Sequence, residues 1–332
     1  MIEFKGAPKI EGLVLRRFKD KSDYSILSAI GKRSWEADGV ENVETEEEIS
    51  SEYVDQPDRD ASSEVFIAEI MGEPVGYGRL SHELDNEGEL VFWHIVHVVP
   101  EWRGTSLRLA LLRFIEAQAS TAARNRHWPG KTSLGTWAMD SPNDWRDMLL
   151  AERYEPTMHF YEMVRHTLEA VPDYALPDGL ELRPAIPEHY PQIWSARKES
   201  LREKPFFVES RYDKKHYDQW LNWPTFTPDM WLVAWEGDSV VGMAENHVPL
   251  ENEAFGLKRG HTQILFVLPR WRRRGLAKAL LSKSLVMMRE MGLEKAVLNV
   301  ETQNTSGEIQ LYESMGYVVD RNFAHYKKRI DL

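Results

Sequence analysis

The chain carries one series of landmarks twice, and a repeat the length of a whole domain restricts the fold more than any other feature of it. His94 to Leu112 reads HIVHVVPEWRGTSLRLALL, and Thr262 to Leu280 reads TQILFVLPRWRRRGLAKAL. Each is an apolar run, a Pro-x-Trp-Arg turn and an apolar-periodic helix. Upstream, Phe66 to Leu80 (FIAEIMGEPVGYGRL) matches Trp231 to Glu245 (WLVAWEGDSVVGMAE), two short strands around Gly72-Glu73 or Gly237-Asp238. Downstream, Leu150 to Arg165 mirrors Ser314 to Arg329, and each reads as a helix end, an aromatic strand, a turn and another strand. The openings LVLRRF (Leu13 to Phe18) and LELRPA (Leu180 to Ala185) also agree.

Four landmarks in one order predict two copies of one domain: residues 1–170, a linker at 171–179 (VPDYALPDG, rich in Pro, Asp and Gly), and residues 180–332. A chain of 332 residues exceeds the usual size of a single core, so two cores are expected. Within each copy, helices cross between strands. That order predicts an α/β (α+β) fold, with a mixed, mostly antiparallel central sheet flanked by helices.

Charge narrows the partners. The net charge of -12 arises in the first half, where residues 1–170 hold 19 Lys+Arg against 31 Asp+Glu, while residues 171–332 hold 22 of each. Binding to nucleic acid rests on neutralising phosphates with Lys and Arg, so this balance argues against it. A small cationic substrate suits it better. The stretch from Glu36 to Asp60 holds 11 acids and one Arg, and reads as a solvated face or as an attractor for such a cation. With no cysteine, disulfides, thiolate metal sites and thiol nucleophiles are excluded. No apolar run of the length that spans a bilayer occurs, and the start MIEFKGAPKIEG lacks a signal-peptide pattern; a cytoplasmic location is expected.

The chemistry concentrates in the second Pro-x-Trp-Arg turn. After the strand ending at Val267 and Leu268, residues Arg272-Arg273-Arg274-Gly275-Leu276-Ala277 lead directly into a helix beginning near Lys278. Such a turn presents unpaired backbone N–H groups to one spot, and the helix dipole adds partial positive charge there. It is suited to a phosphate. Gly275 and Ala277 keep side chains away from a diphosphate that must come close.

The run Arg-x-x-Gly-x-Ala resembles the coenzyme signature of the GNAT N-acetyltransferases. The likeness extends to Asn304 and to Leu311-Tyr312-Glu313-x-x-Gly316-Tyr317, and covers most of residues 180–330. It implies acetyl-CoA as co-substrate, with no metal, and direct attack of a primary amine on the thioester. By the same resemblance, Arg272 to Lys278 hold the diphosphate. The backbone N–H near Val267 or Leu268 binds the thioester carbonyl, Tyr312 is the general acid, and Asn304 orders the coenzyme. For the base the resemblance offers His261, with Glu245 as competitor. A catalytic histidine near its ordinary pKa of roughly 6.5 would give the pH–rate profile an acid limb.

The first copy departs from this pattern. It keeps Arg103 but places Ser106 where the glycine belongs, Arg108 where the small residue belongs, and Leu149 where Tyr312 stands. It is expected to keep the fold and not the catalysis. Trp220, Trp223, Phe226 and Trp231 read as core or as an acceptor pocket. The competing class is an acyl-CoA-binding sensor or scaffold without turnover, and the intact Tyr312 favours the enzyme.

Overall fold

Hydrophobic patterning divides the chain into the elements expected. The computed structural model describes residues 2–41, 43–54, 59–140, 143–204, 207–303 and 307–330. Through the first copy run β1 (Leu13–Arg17), α1 (Ser22–Ala37), α2 (Glu46–Ser51), α3 (Ala61–Glu64), β2 (Val65–Ile70), β3 (Glu73–Leu84), β4 (Leu90–Val98), α4 (Leu107–Asn125), β5 (Thr132–Met139), α5 (Asp144–Ala151) and β6 (Glu155–Arg165). The second copy repeats them as β7 (Glu181–Arg183), α6 (Tyr190–Leu201), α7 (Lys214–Leu221), β8 (Leu232–Glu236), β9 (Ser239–His247), α8 (Glu251–Phe255), β10 (Arg259–Val267), α9 (Leu276–Glu290), β11 (Lys295–Glu301), α10 (Glu308–Ser314) and β12 (Val318–Arg329).

The elements form two compact units, and their membership differs from the linear division at residues 170 and 180. The first comprises residues 1–157 and 324–332, the second 158–323. In the first unit the strand order is β1-β2-β3-β4-β5 and then the end of β12; in the second it is β6-β11-β10-β9-β8-β7. Pairs within β1 to β5 and within β6 to β11 are antiparallel except β4 with β5 and β10 with β11. Ala324, Tyr326 and Ile330 are buried in the first core, where the Ile330 N–H donates to the Thr132 carbonyl over 2.9 Å. The segment 171–179 is no free tether: Val171 and Tyr174 pack on the second unit's core, and Lys278 of α9 lies over the Tyr174 ring.

One expectation fails in both copies. The turn predicted between two closing strands is absent, and β6 and β12 each run straight through. Positive φ occurs at Arg153 and at Gly316, just before these strands, so the chain reverses once, there, and then extends.

Part of the acidic stretch is engaged with the protein itself, while Glu41, Glu46 and Glu47 stay exposed. Buried Arg79 pairs with Glu44 at 2.7 Å and Glu52 at 3.7 Å, and Arg59 pairs with Glu64 at 2.7 Å. Thr45 and Glu48 close a capping box on α2. In the second unit, Trp220 stacks on Trp231 with ring centres 5.1 Å apart and Phe226 packs edge-on to both, as core. Trp223 stays exposed.

Candidate active site

Two strands that begin parallel and then part create the space for a site. Pairing of β10 with β11 runs from Arg259↔Lys295 to His261↔Val297 and stops. Beyond it the remaining length of β10 faces β9 on one side only, opposite Glu245, Ala244, Met243 and Gly242. Gly242 is needed there, because a Cβ on it would lie 2.9 Å from Leu276 and 3.1 Å from the Phe266 carbonyl. This close approach seats the start of α9 directly on the strand.

Between β10 and α9 the backbone bends sharply. Arg273 takes φ 63° and Gly275 φ 90°, a region costing a residue with a side chain about 1–2 kcal/mol. Strain of this kind persists where the surroundings fix it and gathers at functional sites. Positive φ alternating along successive residues turns backbone N–H groups into an anion-binding concavity. A Cβ placed on Gly275 would meet nothing within 4 Å, so the space before the helix is open. The structure thus has what a diphosphate needs: an open turn, a 15-residue helix starting at Leu276, and three arginines.

The arginines are not equivalent. Arg272 donates through Nε to the Val267 carbonyl at 3.1 Å and through Nη1 to Glu203 at 2.6 Å. Arg274 lies over the Trp271 ring at 4.7 Å. Leu276 is buried against the sheet. The Leu268 N–H donates to the Val241 carbonyl at 2.9 Å, which removes it from the carbonyl-binding role expected for it. N–H and C=O of one strand residue point the same way, so the carbonyl that Arg272 reaches marks Val267 as facing the gap.

Tyr312 is buried on α10 among Leu281, Leu285, Met315 and Tyr317. Burial pushes its phenol well above the ordinary tyrosine range, Glu308 adding to the effect, so it stays protonated throughout the neutral range. Glu245, opposite Ile264, accepts from Trp220 Nε1 at 3.3 Å and lies 3.3 Å from Arg197 Nε. Asn304 falls outside the described residues.

His261 sits elsewhere. It is the last residue of β10 still paired with β11, and six residues of strand, about 20 Å, separate it from Val267. Its ring meets that of His247 at 4.9 Å. Burial above all, with His247 and Arg259 adding charge, pulls its pKa down to about 3 rather than leaving it near the ordinary value. The unfolded chain therefore takes up this proton first, and stability is lost as pH falls from about 6.5 towards the folded value. His261→Gln is expected to flatten the dependence of unfolding free energy on pH by about 1.4 kcal/mol per pH unit between about pH 6 and 4. Urea titrations at several pH values measure it; an unchanged slope means the imidazole titrates normally.

Arg197 and Glu203 went unnoticed in the sequence. Nothing marks either among the charges of the chain, and their partners lie far along it.

Among the described residues, no group of His, Cys, Asp or Glu could hold a metal ion, and no helix is long and apolar enough to cross a membrane. The Acetyltransferase (GNAT) family pattern matches residues 30–134 and 193–317. A mycothiol acetyltransferase of Geodermatophilus obscurus is 24% identical over 307 residues, 90% of this chain and 92% of that protein. A GCN5-related N-acetyltransferase from Sphaerobacter thermophilus superposes with TM-score 0.71 at 20% identity, covering 98% of this chain and 99% of the other. A tandem GNAT protein from the clavulanic acid biosynthesis pathway does so with TM-score 0.66 at 14% identity, covering 96% and 98%. Matched in both halves and over more than half of its length, the chain belongs to the GNAT acetyltransferase family.

Proposed function

We propose that the protein transfers an acetyl or other short acyl group from acyl-CoA to a small-molecule primary amine, with one working site, in the second of its two domain copies (1–170 and 180–332). The observation that carries this reading is the open turn from Arg272 to Ala277 beside the unpaired edge of β10. The diphosphate belongs at the N–H groups of Gly275 to Lys278, with Arg273 and Arg274 adjacent. The thioester carbonyl is placed at the β10 edge that includes Val267. Polarised there, it is attacked by the neutral amine. The C–N bond forms as the C–S bond breaks, and Tyr312 gives its proton to the departing thiolate.

For removing the amine's proton we propose Glu245 in preference to His261. Glu245 lies opposite Ile264, where β10 has already parted from β11, whereas His261 lies where the two still pair. A cationic amine can also approach this carboxylate favourably. His261→Gln should then leave the pH–rate profile unchanged.

The turn in the first unit is wound differently. Arg103 (φ -67°) and Ser106 (φ -77°) hold negative φ, and Gly104 takes none of the positive φ seen at Arg273. Isothermal calorimetry is therefore expected to count one acetyl-CoA per chain. Two equivalent sites would sink the one-site reading, and a chain that binds coenzyme but acylates no amine in a broad panel would be the sensor instead.

A further inference from the structure

The first unit has the same parting of strands as the second. Pairing of β4 with β5 runs from Leu90↔Thr132 to Trp93↔Gly135 and stops. Three carbonyls of β4 beyond that point, at His94, Val96 and Val98, face away from β3. Carbonyls released from a sheet ladder and buried need donors. All three have one from a side chain: Thr136 Oγ1 donates to His94 at 2.8 Å, Arg108 Nη2 to Val96 at 3.4 Å, and Arg103 Nε to Val98 at 3.4 Å.

In the second unit Arg272 serves Val267 as Arg103 serves Val98. The middle carbonyl is treated differently. Where the first unit has Arg108, the second has Ala277, too short to reach across to β10 beside Leu265, where pairing with β11 has ended.

Arg108 is an odd residue to keep as structure. It is 3% exposed, its guanidinium lies 4.4 Å over the Trp145 ring, and its Nε and Nη1 have no hydrogen-bond partner among the described residues. Burial above all, with Arg103 nearby, pulls its pKa down to about 10, against the carboxylates of Asp38 and Asp144, which raise it. A charge held so deep with two donors unused destabilises the fold unless it replaces something larger.

We propose that the gap in the first unit is an acyl-CoA slot shut by its own Arg108, the guanidinium standing in for the coenzyme's amide-bearing arm at the Val96 carbonyl. Shortening this side chain to the alanine of the second unit, and restoring glycine at Ser106, opens a second binding site for the same class of ligand. The inference rests on reading the second unit's gap as the coenzyme site. Removing the buried charge lifts its desolvation penalty, and water entering the opened slot serves the Val96 carbonyl that loses its donor, so the fold is expected to survive.

The test is calorimetric titration of acetyl-CoA into the full chain in four forms. The expected stoichiometries are one for the parent, two for Ser106→Gly/Arg108→Ala, none for Gly275→Glu, and one for the triple variant. A Ser106→Gly/Arg108→Ala chain with the stoichiometry of its parent overturns the plug. A parent that binds nothing overturns the reading of the second unit instead, and the double variant still reports on the plug by gaining a site or failing to. Should the double variant not fold, hydrogen exchange of the unaltered chain decides. Saturating acetyl-CoA is expected to protect amides of Leu265 to Lys278 and leave those of Val96 to Leu107 as they were. Equal protection of both segments overturns the proposal.

Discussion

Gly275→Glu is expected to abolish useful coenzyme binding while the chain still folds. Glutamate at this position sets a carboxylate against the diphosphate, and an unmatched charge in such a contact costs about 2–5 kcal/mol, roughly 30-fold to several thousand-fold in Kd. The fold is hurt much less. A Cβ at Gly275 has open space around it, so the penalty is that of φ 90° alone, about 1–2 kcal/mol or a fall of roughly 2–8 °C in Tm. Gly275→Ala suffers the same strain without the charge and serves as the control. Calorimetry of both variants against acetyl-CoA separates the effects: equal loss in Ala and Glu would mean that the turn's shape matters and the charge does not. A Glu variant that binds as tightly as the parent would remove the diphosphate from this turn.

Tyr312→Phe should be the most damaging change that leaves binding alone. The ring stays among Leu281, Leu285 and Tyr317, whose ring centre is 6.1 Å away, and only the hydroxyl is lost. A positioned general acid contributes about 10²–10⁴-fold in rate, so kcat should drop by an amount in that range with the Kd for acetyl-CoA nearly unchanged. Burial pushes this phenol up, so it carries its proton throughout the neutral range and adds no basic limb to the pH–rate profile there. Single-turnover kinetics on the variant give the answer free of product release. Retention of more than about a tenth of the parent rate would return Tyr312 to the core as a packing residue.

Much of this was legible in the sequence because local physics decides it. Apolar runs ending at Val-Pro or Leu-Pro and followed by periodic helices fold as strand, turn and helix in both copies, and the element order follows. The alanine and glycine of the second turn, and the Ser106 and Arg108 that replace them in the first, could be read as a difference in chemistry. Where Arg108 actually goes could not. Its target, the Val96 carbonyl, becomes available only because β4 and β5 stop pairing at Trp93, an event that no local pattern announces. The roles of Val267 and Leu268 were likewise indistinguishable until the hydrogen bond from Leu268 to Val241 showed which amide faces the gap. His261, offered by resemblance and read near the start of its strand, does lie there, still paired with β11, and an extended strand sets it about 20 Å from Val267. Pairs such as Arg272 with Glu203 and Glu245 with Arg197 join residues far apart in sequence, and one carboxylate among many carries no mark of its partner.

The make-up of the first unit has a consequence for synthesis. Domains emerging from the ribosome commonly fold as they appear, the N-terminal one first. Here that order cannot hold to completion, because Ala324, Tyr326 and Ile330 belong to the first core and are translated after the whole second unit. The earlier-made half must wait with an unfinished sheet edge beside β5, exposed to pairing with any other extended chain. The later half meets no such delay, since residues 158–165 are already made when the strands they accompany appear. The half proposed to hold the working site can thus mature while the other is still incomplete.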